Sequence, residues 1–431
     1  MLVLFRKKLK HSEAEKKQEL KSRRFMERFG LLTNHFEQNG IYIHCASVGE
    51  INAVHHLIVN LQKQHPEKAI TLSTSSVTGA VHAARLYQNK VQHCYLPFDV
   101  PLCMQLFFNH IKPCLCLIVE LEIWPNMLHQ CQSRNIPCLL INARMTDQSL
   151  VVYKKFAWLF RPSMRSIEVI CTQSTESFSN FLSLGVYKKQ LVNTKNMKFD
   201  ISAVVSDADL GEKILDSYGL QGRPILLGGS THAPEEKALL KTFTKLKQQV
   251  PTLCLIIVPR HPHRFDEVEN ILRSGGLCVE RISKNKQFNA DENSHKQVNK
   301  EQAKEHSIDC VLVDIMGCLK ACYSICDVSF VGGSLAPKGG HNALEAALYS
   351  KPIVMGPSTY NNPKICEYLE NEGALVIVNN EAQLYEQCNA WISDNKSAED
   401  AGKQGVKVLR ANAGAVQSTL HIIDKLLATK A

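Results

Sequence analysis

Six short segments bring together residue types that do chemistry, and each follows an apolar run. HCASVGE (44–50) sets Glu50 behind a Ser-Val-Gly turn at the head of a helical pattern. A carboxylate held there can take a proton from an attacking hydroxyl; in a purely structural role it complements a helix dipole. VELEIWPN (119–126) puts Glu120 and Glu122 at a strand end, with Trp124-Pro125 opening a helix. Either acid can carry charge into a site or be no more than a polar strand terminus. NTKNMKFD (193–200) offers Lys195 and Lys198, cations suited to developing negative charge or a substrate acid group, or else plain solvated lysines.

The other three segments suit anions. GGSTHAPEE (228–236) combines glycines and hydroxyls ahead of an acidic helix start. It reads either as an anion cradle of free N–H groups or as a cap, with Ser230 or Thr231 at the helix N-terminus and Glu235 and Glu236 in its first turn. In VPRHPHR (258–264), Arg260 can pair with a phosphate, while His261 and His263 lack a third ligand at metal-site spacing. FVGGSLAPKGGHNALEAALYSKPIVMGP (330–357) ends a strand in glycines and starts a helix near His341-Asn342, with Glu345 placed to accept from ribose hydroxyls. It is neither a Walker A loop nor GxGxxG, so a nucleotide-sugar fits it better than ATP or NAD.

The elements that must position these residues fall into two sets of seven strand-like runs. The first set is 41–47, 69–76, 92–98, 114–120, 136–143, 167–173 and 191–197; the second is 224–230, 254–259, 277–282, 310–315, 328–333, 351–356 and 375–380. Most are continuous apolar runs, the pattern of parallel strands buried on both faces. Helical spacing separates them at 52–64, 235–250, 342–349 and 415–428. Strand–helix alternation twice over predicts an α/β protein of two doubly wound parallel-sheet domains facing a central cleft, with ligands at the carboxyl ends of the strands. The expected division is a basic arm over 1–32, a first domain over 33–205, and a second over 206–431 that includes the C-terminal helix. The polar stretch 283–308 reads as an exposed loop inserted in the second domain.

Composition removes other classes. The 431 residues are 45% hydrophobic and 21% charged, an ordinary globular balance. No run is long and apolar enough for a membrane span, and MLVLF running into RKKLK is not a secretory signal. Residues 1–32 hold ten Lys/Arg and four Glu, a net +6 of the chain's +9, so the folded body is nearly neutral and a nucleic-acid partner is not expected. The 16 cysteines are scattered through apolar runs without a CxxC, as reduced core residues are; Cys318, Cys322 and Cys326 share one helix face and read as packing.

Taken together, the motifs resemble the lipopolysaccharide 3-deoxy-D-manno-oct-2-ulosonic acid (Kdo) transferases. Matching segments run in order from ERFG (27–30) to Gly414: SVGE, TGA, YLPFD, VELEIWPN, INAR, NMKFD, STHAPEE, PRHPHRF, GGSLAPKGGHNALEAA and GPSTYN. The resemblance implies a GT-B fold of two Rossmann-like domains. It implies inverting transfer of Kdo from CMP-Kdo to the lipid A precursor (lipid IVA), with no cofactor and no catalytic metal. By position in those motifs, Glu50 is the proton acceptor, and Glu120 and Lys198 stabilise the transition state. Pro259, Arg260, Met316, Gly317, Cys318, Asn342, Ala343, Leu344 and Glu345 hold CMP. Two departures stand out: Cys318 replaces the family's Glu in Met-Gly-Glu, and Lys195-Asn196 replaces Gly-Asn. Where the family has an N-terminal apolar anchor, only LVLF precedes the basic arm here, so either the anchor is shortened or this start is not the family's usual one; the arm's cations between Arg6 and Arg24 suit an anionic lipid surface or are simply solvated. The expected location is therefore peripheral, on the cytoplasmic face of the bacterial inner membrane. The alternatives are another GT-B sugar-nucleotide enzyme, such as an epimerase, and a non-catalytic nucleotide-binding relative.

Overall fold

The computed structural model describes residues 22–32, 34–285, 288 and 308–429. The arm before residue 22 and most of the polar stretch 283–308 lie outside the described residues. The chain forms two compact units, Met1–Asp200 with Asn412–Ala431, and Ile201–Ala411. All fourteen expected strands are present, seven in each unit.

In the first unit, β1 (Ile41–Cys45), β2 (Ile70–Thr74), β3 (Gln92–Tyr95), β4 (Leu115–Val119), β5 (Cys138–Ala143), β6 (Val169–Thr172) and β7 (Leu191–Asn193) form one parallel sheet in the order β3-β2-β1-β4-β5-β6-β7. β1, β2, β4 and β5 are buried along their whole length, the polar His44, Thr71, Ser73, Thr74 and Asn142 included. The chain winds outward from β1 in one direction and from β4 in the other, so the segments after β1 and β4 meet where the strand order reverses.

The second unit repeats the plan. Its strands β8 (Ile225–Thr231), β9 (Cys254–Pro259), β10 (Val279–Arg281), β11 (Cys310–Leu312), β12 (Val328–Val331), β13 (Ile353–Met355) and β14 (Leu375–Ile377) lie in the order β10-β11-β9-β8-β12-β13-β14, all parallel. Its reversal lies between β8 and β12. Gly332 is required there, because a Cβ at this position would lie 2.4 Å from the Ser230 carbonyl oxygen.

The structure corrects several boundaries. The C-terminal helix Ala415–Ala428 belongs to the first unit, not the second: Ala415, Val416, Leu420 and Ile423 share a core with Ile41, Leu57 and Leu117. The first unit ends at Asp200 rather than 205. The pattern at 52–64 is two helices, Val48–Ala53 and His55–Gln64, and the pattern at 342–349 is helical only over Leu344–Leu348. Helix 22–28 is docked onto the first sheet instead of standing free in a basic arm. Arg23 donates to His93 O at 2.8 Å, Arg28 to Leu96 O at 2.8 Å and Ser75 O at 2.6 Å, and Glu27 accepts from Tyr95 N at 2.8 Å. Arg23, expected among the lipid-facing cations, is thus turned onto the protein. All 16 cysteines are free thiols. Cys116, Cys131 and Cys138 bring their sulfurs within 4.8 Å of one another inside the first core, the one such group among the described residues.

Asp200 holds the returning C-terminal helix by accepting from Gly414 N at 2.6 Å and from Val416 N. Asp200→Ala is expected to lower unfolding free energy by about 1–2 kcal/mol, read as a lower urea midpoint. An unchanged midpoint would show that the apolar face alone holds the helix.

Candidate functional site

The first unit gathers three glutamates at the carboxyl ends of β1 and β4. Ser47 caps the helix Val48–Ala53 by accepting from Glu50 N at 3.3 Å. The Glu50 side chain turns back, with Oε2 accepting from Ala46 N at 2.7 Å and Oε1 from Ser47 Oγ at 2.9 Å. This is the geometry of a first-turn capping glutamate, but the residue is only 8% exposed. Burial pushes its carboxyl up to about 7, the charges of Glu120 and Glu122 push it the same way, and the bonds from Ala46 and Ser47 pull it down. A carboxylate with that balance has the proton affinity of a general base at neutral pH.

Glu120 leaves β4 at φ +60°, a left-handed conformation that costs a non-glycine residue about 1–3 kcal/mol. Its N–H is tied to Ile141 O at 3.0 Å. Glu122 accepts from Trp124 Nε1 at 3.0 Å and lies 3.7 Å from His44 Nε2. His44 has no exposed surface; its Nδ1 is 2.8 Å from Ser73 Oγ, which is itself 2.8 Å from the Tyr42 hydroxyl. Glu122 therefore ends a buried polar line reaching back along β1.

Lys198 arrives from β7, at the far edge of the sheet. The chain turns back across the strand ends: Thr194 N donates to Thr172 O at 3.0 Å and Met197 N to Asn142 Oδ1 at 3.0 Å. Asn142 of β5 follows the residue that holds Glu120, so one strand end fixes both the acid and the segment carrying the cation. Asn196 accepts from Lys198 N at 3.0 Å and sets the single turn Met197–Phe199. Sequence reasoning missed His44 and Asn142; the signal was a polar residue inside the otherwise apolar strands IYIHC and CLLINA.

The second unit collects its residues at the ends of β8, β9, β11 and β12. Arg260 is exposed just past β9, its N–H bonded to Thr231 O at 3.0 Å. Glu345 is half-buried; burial raises its carboxyl, and the charges of Lys320 and Arg260 pull it back, so acid and guanidinium face one environment. Met316 is 45% exposed, and Gly317, at φ +97°, has nothing within 4 Å of a would-be Cβ. Pro259, Cys318, Ala343 and Leu344 are buried, so the accessible members of the set are Arg260, Met316, Gly317, Asn342 and Glu345.

The glycine-rich loop departs from expectation. Its amides are not open to an anion, because Glu235 occupies them. Glu235 Oε1 accepts from the N–H groups of Ser334 (2.9 Å), Leu335 (2.9 Å) and Ala336 (3.1 Å), and Oε2 from Gly333 (2.8 Å) and His232 (2.9 Å). Ser230 and Thr231 are not caps either; both lie within β8, and the helix begins at Glu235.

Residues 23–201 match the family described as "3-Deoxy-D-manno-octulosonic-acid transferase (kdotransferase)", and residues 236–408 match "Glycosyl transferases group 1". The chain is 34% identical over 409 residues to a 3-deoxy-D-manno-octulosonic acid transferase of Haemophilus influenzae, covering 94% of this chain and 91% of that protein. It is 28% identical to a protein of the same name in Rickettsia bellii, covering 94% and 92%. Among solved structures, a UDP-GlcNAc 2-epimerase from Neisseria meningitidis bound to UDP-GlcNAc superposes with a TM-score of 0.58 at 12% identity, over 90% of this chain and 100% of that one. That likeness concerns the fold alone, the two-domain GT-B arrangement of paired Rossmann-like sheets.

The Glu50 environment makes a prediction independent of any substrate. Its carboxyl should titrate with a midpoint near 7 in a carbon-detected NMR titration. Glu120→Gln should move that midpoint down, since removing a like charge favours the ionised form. A midpoint in the ordinary carboxylate range, or one indifferent to Glu120, would dismantle the three-acid cluster.

Proposed function

The chain belongs to the 3-deoxy-D-manno-octulosonic acid (Kdo) transferase family, and from that premise we propose that it moves Kdo from CMP-Kdo to a hydroxyl of the lipid A precursor, lipid IVA, inverting the anomeric centre. The observation that carries the reading is Glu50: a buried, oriented carboxylate whose proton affinity is set near neutrality by its surroundings. In the proposed step the acceptor oxygen bonds to the anomeric carbon and its proton passes to Glu50. The bond from that carbon to the CMP phosphate oxygen breaks, and CMP leaves with the electron pair. A single displacement of this kind inverts the centre. Glu120 supports positive charge developing on the sugar, and Lys198 supports negative charge developing on the leaving phosphate. Arg260, Asn342, Glu345 and the Met316-Gly317 main chain hold CMP, with Pro259, Cys318, Ala343 and Leu344 shaping that site from behind. Loss of the acidic side chain at 318 leaves the main-chain contacts as the third nucleotide segment. No cofactor or metal enters the step.

The acceptor carries acyl chains, so the proposal places the protein peripherally on the cytoplasmic face of the inner membrane. No described helix is long and apolar enough to cross a membrane. Two successive helices of the first unit, Asp147–Lys155 and Ala157–Arg165, bury almost nothing: only Met164 is buried. They expose Val151, Val152, Phe156 and Trp158 beside Lys154 and Lys155, and Trp158 is 77% exposed. An apolar face rimmed by lysines suits an anionic lipid surface.

Two experiments test these readings. Glu50→Gln should cut turnover by about 10²–10⁴-fold while CMP still binds. In the wild type, kcat at saturating donor and acceptor should rise with pH and level off above about 7, because the ionised form accepts the proton. Arg260→Ala should weaken CMP binding without unfolding the protein, and EDTA should leave the rate unchanged. An active Glu50→Gln protein would place the base elsewhere. In vesicle co-sedimentation, Trp158→Asp should reduce binding to anionic vesicles, and salt should reduce it further. Loss of binding only on removal of residues 1–21 would assign the contact to the basic arm.

A further inference from the structure

Four imidazoles gather at the carboxyl end of the second sheet. His232 follows β8, His261 and His263 follow β9, and His341 closes the glycine-rich loop after β12. His232 Nε2 lies 2.9 Å from His341 Nε2, with ring centroids 5.2 Å apart and ring planes within 7° of parallel. One ring must donate and the other accept, so a single proton sits between the two nitrogens. His261 meets His232 edge-on at 5.1 Å and stacks on His263 at 5.4 Å.

The charges around the pair do not balance an added proton. Arg260, Arg264 and the His261 ring face the pair from the loop after β9, Glu236 opposes them at His232, and Lys338 and His263 act on His261. The nearby acids are engaged. Glu236 is bonded to Arg264 at 2.6 and 3.3 Å, Glu235 is filled by five main-chain donors, and Glu345 faces Arg260 and Lys320. Burial and the neighbouring cations push both imidazoles down, His341 to about 4. Paired imidazoles beside the exposed Arg260, with Glu236 already engaged by Arg264 and the adjacent amide cradle already occupied by Glu235, are built to receive a negative charge from outside.

We propose that His232 and His341 form the seat for an anionic group of the donor, its phosphate or its sugar carboxylate, and that the pair takes up one proton from solvent as that group binds. The accepting Nε2 gains the proton, the N···N bond between the rings opens, and both Nε2–H groups turn to the anion. This inference rests on the donor-site reading above. It makes donor affinity fall as pH rises, up to about tenfold per pH unit where a full proton is taken up.

The test is calorimetric titration of the full chain at pH 7, where CMP is mostly a dianion, in buffers of differing ionisation enthalpy. With CMP the wild type should take up a measurable fraction of a proton per site, since a bound anion raises the pair by about 1–3 pH units from its low starting value, and with cytidine none. His341→Gln and His232→Gln should bind CMP more weakly, with that uptake lost. If uptake appears only when free Kdo is added with CMP, the seat takes the carboxylate. If CMP alone produces it, the seat takes the phosphate. Binding of CMP and Kdo without proton uptake, or uptake that survives both substitutions, would overturn the histidine seat and leave the donor-site reading standing. A wild type that binds no CMP would overturn both. The wild-type proton count decides the matter even if a variant fails to fold.

Discussion

A buried carboxylate held by main-chain donors sits at the same place in both units, just past the first strand of each sheet, and the two candidate sites are organised around this pair of residues. Glu235 is fully buried and accepts five N–H groups, three on one oxygen and two on the other. It ties the segment after β8 to the segment after β12 across the strand-order reversal. Five donors leave the carboxylate no capacity for reaction, so its charge is structural. Glu50 has one main-chain donor and one hydroxyl, and it faces two other carboxylates. One side-chain type at equivalent topological positions is thus saturated with donors in one unit and left with a proton affinity near neutrality in the other.

The filled cradle shapes what the second unit can hold. Free amides at a glycine-rich turn are a general phosphate site, but here Glu235 satisfies those of 333–336 internally. It also fixes the start of a loop whose later turn is set by Gly340 N on Gly333 O at 2.8 Å and His341 N on Gly332 O at 3.0 Å. The carboxylate that closes the amides therefore also positions His341 and the Asn342–Glu345 segment. An anion held at this strand end would therefore have to meet the side chains beyond those amides.

The strands were legible because a parallel strand buried on both faces reads as a largely apolar run, and most of the fourteen strands do. Glu50, Glu120 and Arg260 were legible because they directly follow such runs. Pairings across long separations were not. The helix at 415–428 shows its apolar stripe in sequence, but a stripe does not say which sheet will receive it; Asp200, more than 200 residues earlier, does so by capping it. His232 and His341 are separated by 109 residues and meet only because β8 and β12 are neighbours. GGSTHAPEE suggested a cradle, but the acid four residues later fills the cradle of another loop. The burial of Cys318, Ala343 and Leu344 was also invisible in motif matching, which assigns a segment without saying which members reach the surface.

The three-acid cluster of the first unit links stability to chemistry. A carboxyl whose native value is raised from 4.5 to about 7 binds its proton more tightly folded than unfolded. Above the unfolded value the native state must either keep that proton or bear the charge. Stability therefore falls as pH rises from about 4.5 to about 7, by about 3 kcal/mol in all. The left-handed turn at Glu120 adds a further cost, and so does the buried His44 Nε2, which has no hydrogen bond and meets Glu122 only at 3.7 Å. These costs have one common beneficiary: a proton arriving at Glu50 removes one negative charge from a buried set of three. The repulsion that weakens the folded state at neutral pH is thus released when Glu50 takes up a proton, and the sheet, by holding the acids together, favours the protonated form that the proposed transfer would leave behind.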